Sequence, residues 1–196
     1  MTVDFDISNV VYRILTAPID LLKFAKTNYN CVLHSNTQWR CTYYGVGFTM
    51  NMFSNQDCGK IILFTTKDIA DIIPHILTTL KCRESDITIE MKNMVVKFKL
   101  GRQLDLHEVF RLNTNMKEDD LRYVAQELNI STCVQSNVFE PDKFPAVIVT
   151  PFLDSNISIE IFENGNVNAA GIKSSKDTSR ISCYLERMMT KLPALF

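Results

Sequence analysis

The 196-residue chain has no run of about 18 apolar residues, so no membrane-spanning helix can be drawn on it. Its first ten residues, MTVDFDISNV, are acidic and lack the apolar core of a secretory signal, so an intracellular protein is expected. An excess of charge of either sign is missing too. The 21 Lys and Arg against 22 Asp and Glu leave a formal net charge of -1, so bulk charge recommends neither nucleic acid nor an acidic partner. Metal-site spacing is absent: Cys31, Cys41, Cys58, Cys82, Cys133 and Cys183 never approach a zinc pattern, and His34, His75 and His107 do not complete one. The cysteines are expected to be buried or half-buried free thiols in a reducing compartment. His107-Glu108 is not followed by a second histidine at helical spacing, and no phosphate loop, nucleophile elbow or carboxylate pair appears. No enzyme activity, metal, cofactor, small-molecule substrate or membrane association is therefore expected. With 46% hydrophobic and 22% charged residues the chain is globular, long enough for one ample core or two small ones.

What is present is a pattern that occurs twice. Asn93-Met94-Val95 opens a β-rich run that leads through a polar turn to Leu104-Asp105-Leu106. Asn9-Val10-Val11 does the same, leading to Ile19-Asp20-Leu21. After each start comes a strand headed by an aromatic, TQWRCTYY (37–44) and DKFPAVIV (142–149). A hairpin follows, at 48–67 and at 157–173, and then a helix. The helices carry apolar stripes, Ile69, Ile72, Ile73, Ile76 and Leu80 in the first, and Ile181, Leu185, Met188, Met189 and Leu192 in the second; both read as core. The boundary falls in the polar KCRESD (81–86), giving a first repeat at 1–84 and a second at 85–196. The second carries an inserted stretch at 113–129 that predicts an extra helix or surface loop.

In NISIEIFENGNV (156–167), Ile157, Ile159 and Ile161 alternate with Ser158, Glu160 and Phe162 before Asn164-Gly165 turns the chain. A large ring thus stands at the hairpin tip on the wetter face. Thr49, Asn51 and Phe53 repeat the arrangement in FTMNMFS, and Trp39 and Phe144 head the strands before. The pattern predicts an aromatic pair at the end of each unit, Trp39 with Phe53 and Phe144 with Phe162.

These residues resemble the TATA-box-binding protein family, whose repeats carry an N-[MI]-V strand, an L-D-L helix start, an E-P-x-x-F-P-x-[VL]-I segment and an I-F-x-x-G-x-[VI] hairpin. Here they read Asn93-Met94-Val95, Leu104-Asp105-Leu106, EPDKFPAVI (140–148) and IFENGNV (161–167), in order across most of the second repeat. The first repeat matches more weakly. The resemblance implies an α+β fold: two tandem repeats forming a saddle, with one curved antiparallel sheet, its concave face free and helices on the convex face. It implies minor-groove binding with aromatic wedges that unstack base steps and bend the duplex. Asn9 and Asn93 would read minor-groove acceptors near the dyad. Val11, Val95 and Ile62 would line the groove floor, and Arg13, Lys60, Lys67, Lys97 and Lys173 would meet phosphates. Glu140 and Asp142 match a loop that offers acidic residues to transcription factor IIB. The implied partners are A·T-rich promoter DNA, a transcription factor IIB-like protein and RNA polymerase. The implied place is the nucleus, or a cytoplasmic viral factory should the source be a large DNA virus with its own transcription machinery.

Departures from the family pattern matter. Asn51, Glu160 and Asn168 stand where apolar or small neutral residues are usual, Thr150 and Asn166 where basic ones are common, and Glu163 is acidic beside a wedge. Residues 1–84 hold 8 basic and 7 acidic side chains, and residues 85–196 hold 13 and 15, so the better-matched repeat has the worse charge. DNA binding weaker or less TATA-selective than the family norm is expected. The alternative is a module of the same fold that binds protein in transcription and has lost most DNA binding. The fold also occurs appended to nucleic-acid enzymes, and a chain with nothing appended counts against that role.

Overall fold

The repeated hydrophobic-polar alternation becomes strands whose two faces differ in burial. In the computed structural model the described residues are 3–35, 38–115, 136–152 and 155–192. The first half runs β1 (Asp4–Thr16), α1 (Leu21–Thr27), β2 (Cys31–Ser35), β3 (Gln38–Tyr43), β4 (Phe48–Ser54), β5 (Gly59–Thr65) and α2 (Ile69–Leu80). The second runs β6 (Thr88–Lys99), α3 (Leu106–Asn115), β7 (Ser136–Val138), β8 (Ala146–Thr150), β9 (Ser158–Phe162), β10 (Asn166–Ile172) and α4 (Ser175–Lys191). Of the inserted stretch, 113–115 close α3 and the remainder lies outside the described residues. The fold class is α+β, with antiparallel pairing throughout both meanders.

The chain divides into two compact bodies, Asn9–Met94 and Met1–Ser8 with Val95–Phe196. In the first body the strand order is β2-β3-β4-β5-β1-β6; in the second it is β1-β6-β10-β9-β8-β7, the long β1 and β6 contributing a segment to each. Residues 3–8 go with the second body, where the Phe5 ring centroid lies 5.7 Å from that of Phe98.

The repeated [IL]-D-L motif is a helix cap. The Asp20 carboxylate accepts from the Lys23 backbone N–H at 2.9 Å, and Asp105 accepts from those of His107 and Glu108 at 2.8 and 3.3 Å. Each satisfies donors that the first turn leaves orphaned. Asp68 and Ser174 do the same for α2 and α4. The first core packs Ile14, Met50, Met52, Ile61 and Leu63 against Phe24 of α1 and Ile72 and Ile76 of α2, which continues through Pro74. In the second body Val147, Val149, Ile159 and Ile161 are fully buried, as are Ile181, Leu185 and Met188 of α4.

The α4 stripe also carries polar groups into that core. The buried Tyr184 hydroxyl donates to Asn113 Oδ1, and Asn113 Nδ2 donates to the Val109 carbonyl at 2.8 Å. Burial pushes the Tyr184 phenol well above its ordinary pKa. Arg180 is buried with its guanidinium 4.2 Å from the Phe152 ring centroid and 3.6 Å from Asp177.

The cysteine expectation is corrected at two positions. Cys31 and Cys41 are joined by a disulfide, because the β2–β3 register sets them directly opposite each other. Ten residues of sequence separation hide that juxtaposition. Cys58 and Cys82 are free thiols, Cys183 stands in no disulfide among the described residues, and Cys133 lies outside them.

Candidate nucleic-acid interface

Helices cover one face of each body's sheet, and the residues of opposite parity form a half-exposed second face. In the second body Ser158, Glu160 and Phe162 of β9 are half-buried there, while Ile159 and Ile161 point into the core. Register then fixes the neighbours. Ala146 lies opposite Phe162, and Ile148 and Asn168 flank Glu160 on its two sides. Asn168 Nδ2 donates to Glu160 Oε2 at 3.2 Å. At the hairpin tip the Phe144 and Phe162 rings meet edge to face, centroids 5.9 Å apart. Phe162 thus sits where the alternation places it, with Phe144 against it.

The tip is held by Gly165, whose φ of +78° favours glycine and where a Cβ would stand 2.2 Å from the Arg102 carbonyl oxygen. Its carbonyl accepts from the Leu100 N–H at 2.9 Å, and the Glu163 carbonyl accepts from that of Leu104 at 2.8 Å. Below the tip opens a groove of ≈ 870 Å³ lined by Asp4, Asp6, Lys97, Lys99, Phe162 and Asn168 among others. Lys97 is exposed and Val95 is half-buried, alternating with the buried Val96 and Phe98. The carboxylates of Asp4 and Asp6 share this groove with the two lysines, a feature of the acidic N-terminus that the repeat pattern did not reveal.

In the first body the open face is a set of cross-strand rows. One runs Arg13, Ile62, Asn51, Arg40; the next Val11, Phe64, Thr49, Thr42; the third Leu15, Lys60, Phe53. Asn9 lines a cavity of ≈ 320 Å³ with Thr42, Thr49 and Phe64. Arg13 is paired with Glu90, which Lys92 also engages. Hydrogen bonds from Lys92 and Arg13 hold the Glu90 carboxyl below its usual pKa. Asn93 is half-buried on β6.

Trp39 does not join Phe53. It pairs with the buried Met52 and packs against the first core, whereas Phe53 lies on the opposite face beside Lys60. The physical reason is parity: successive strand residues alternate faces, so the aromatic one position along from the open-face residue is turned inward. The pattern within QWRCTY carried that information. Trp39 shares its parity with the fully buried Cys41, and Arg40 shares the open face with Thr42. The same parity puts Arg40, which the sequence pattern did not single out, exposed on the open face opposite Asn51.

The remaining candidates are peripheral. Lys67 is exposed and runs alongside Gly47 in the β3–β4 turn. Lys173 is exposed just before α4, its backbone N–H donating to Asp177 at 3.0 Å. In the loop before β8, Glu140 is paired with Lys143, while Asp142 is exposed. The acidic character of that loop is thus partly neutralised.

Comparison with known proteins bears on the fold. No protein-family model matches the chain, and no curated protein matches it. Among solved structures it is similar to Methanococcus jannaschii TBP, at 20% identity and a TM-score of 0.69, over 95% of this chain and 99% of that one. The chain has a TBP-like fold, and at that identity the likeness is one of fold alone.

Proposed function

We propose that this protein binds double-stranded DNA on the open sheet faces, bends it by wedging side chains into the minor groove, and acts in transcription initiation by recruiting an initiation factor and polymerase. The observation that carries the reading is the Phe144–Phe162 pair: two rings in edge-to-face contact at the end of a half-exposed face. A pair there fits a wedge between base steps. Unstacking a step costs a few kcal/mol, offset when the bent duplex covers more protein surface. The first body contributes Phe53 alone, so the deformation is proposed to be unequal at the two ends. Lys60, Lys97 and Arg40 are exposed on the open faces and suit phosphate contact. Asp142 is the exposed acid proposed to meet a basic initiation factor.

The test is fluorescence anisotropy on short A·T-rich and G·C-rich duplexes over a salt series, with end-to-end energy transfer reporting the bend. Wild type should bind with a salt-dependent affinity, and Phe162→Ala and Phe144→Ala should lose the bend. A folded protein that binds no duplex, with or without an initiation factor, would overturn the proposal. It would favour the second reading, a protein-binding module, for which the specific support is the carboxylates of Asp4, Asp6 and Glu90 among the open-face cations, with Glu160 on the same kind of face beside Asn168.

A further inference from the structure

Glu160 and Asn51 hold equivalent positions, each two residues before the hairpin aromatic, in the third strand of each meander. Their surroundings have opposite hydrogen-bonding character. In the first body Asn51 lies between Ile62 and the exposed Arg40. Its Oδ1 is buried without a hydrogen-bond partner among the described residues, so Nδ2 is the prong left to donate. In the second body Glu160 lies between Ile148 and Asn168, and Asn168 engages Oε2. A carboxylate only accepts, and with about four lone-pair sites it keeps acceptor capacity beyond that one bond.

The minor groove makes this difference legible. A·T and T·A pairs present only acceptors there, the purine N3 and the thymine O2, whereas G·C adds the exocyclic N2 amino donor. A donor such as Asn51 is matched by A·T. A carboxylate facing an A·T pair meets acceptor against acceptor, and facing G·C it meets its hydrogen-bonding complement. Burial strengthens both effects, because a half-buried carboxylate loses water that only a donor can replace.

We infer that Glu160, oriented by Asn168, makes the half of the DNA site bound by the second body select a guanine N2 amino group, while the half bound by the first body stays A·T-selective. Two unlike half-sites fix the direction in which the protein sits on the duplex. The inference rests on the DNA-binding function proposed above and adds to it a base-pair preference and an orientation.

The experiment uses duplexes that differ only in the minor-groove amino group. Inosine·C removes it from G·C, and 2,6-diaminopurine·T adds it to A·T, each without altering which strand positions pair. Substitutions are walked along one half of an otherwise A·T-rich duplex, and binding of the full chain is read by anisotropy at fixed salt. Wild type should bind G·C over inosine·C, and diaminopurine·T over A·T, by about five- to a hundredfold at the Glu160 position. Glu160→Ala should flatten both ratios toward one; because Glu160 is half-exposed, circular dichroism should show that the variant remains folded. Ratios that stay unchanged in Glu160→Ala, or a wild type that prefers the amino-free duplexes while still binding them, would overturn the inference and leave the DNA-binding function standing. No binding to any of the duplexes would overturn the function and the inference with it.

Discussion

Gly101 and Gly165 share a backbone conformation, φ +72° and +78°, yet a Cβ would meet different surroundings at each. At 101 a Cβ finds nothing within 4 Å; at 165 it would stand 2.2 Å from the backbone carbonyl oxygen of Arg102. Gly101→Ala therefore incurs only the left-handed strain of an L-residue, about 1–2 kcal/mol, reduced by the smaller entropy of the unfolded alanine chain to about 1 kcal/mol. Gly165→Ala incurs the same strain and must also move a backbone segment. The Gly165 and Glu163 carbonyls accept the Leu100 and Leu104 N–H groups. Loss of those two bonds adds about 0.5–1.5 kcal/mol each, for a total of about 2–4 kcal/mol. For a chain of this size the thermal midpoint falls by roughly 2–4 °C per kcal/mol, so Gly165→Ala should drop it by roughly 5–15 °C and Gly101→Ala by roughly 2–4 °C. Calorimetry or circular dichroism melts on the two variants provide the assay. Equal losses would refute the argument, because they would show that conformation alone, and not the approach of the Arg102 carbonyl, sets the glycine requirement at the tip that holds Phe162.

Trp39→Ala should destabilise the fold by about 2–3 kcal/mol in urea titration, since the indole packs on the first core, while leaving any DNA bend intact; loss of bending without loss of stability would contradict that placement. Tyr184→Phe should lower stability by about 1–3 kcal/mol, because the buried Asn113 carbonyl oxygen loses its donor, and a neutral result in a denaturant melt would show that water or a rearrangement satisfies it. Glu90→Gln removes the charge that Arg13 and Lys92 share, so the slope of log affinity against log salt should steepen by about 1 for each cation freed to meet a phosphate; an unchanged slope would mean that neither reaches DNA. Asp4→Asn with Asp6→Asn should tighten DNA binding at low salt by unmasking Lys97 and Lys99, which the same anisotropy titration reads.

How much of this was legible follows from which constraints are local. The order of strand, helix, meander and helix could be read twice because parity, apolar stripes and polar turn residues are properties of a few consecutive residues. The [IL]-D-L motif was visible as a repeat, and its reason, a side chain capping a helix, is local too. Trp39 shows the limit. Its place at the head of a strand suggested a partner for Phe53, but the face it occupies depends on register, where one residue reverses the answer. Cross-strand facts were further out of reach. The Cys31–Cys41 bond, the Asn168–Glu160 contact and the Glu90 pair each join residues whose proximity exists only once strands are aligned. The Tyr184–Asn113 bond joins residues 71 apart, and its Asn113 end is the first residue of the inserted stretch.

A net charge of -1 looks like an argument against a DNA-binding surface, but it is the distribution that matters. The first body's central row carries Arg13 and Arg40 with the neutral Asn51 between, and its acid, Glu90, is already committed to Arg13 and Lys92. The second body's groove sets Asp4 and Asp6 among Lys97 and Lys99, and its central row replaces the cation with Ile148 beside Glu160. On the proposed DNA-binding function, phosphate attraction, which is not sequence-selective, would fall mainly to the first body. Selectivity would fall to the second, where a carboxylate is unfavourable against most of a minor groove and favourable only against a donor. The Phe144–Phe162 pair lies on that same second body. On that proposal deformation and discrimination would coincide on one body while general attraction fell to the other, the division that an asymmetric, oriented complex requires.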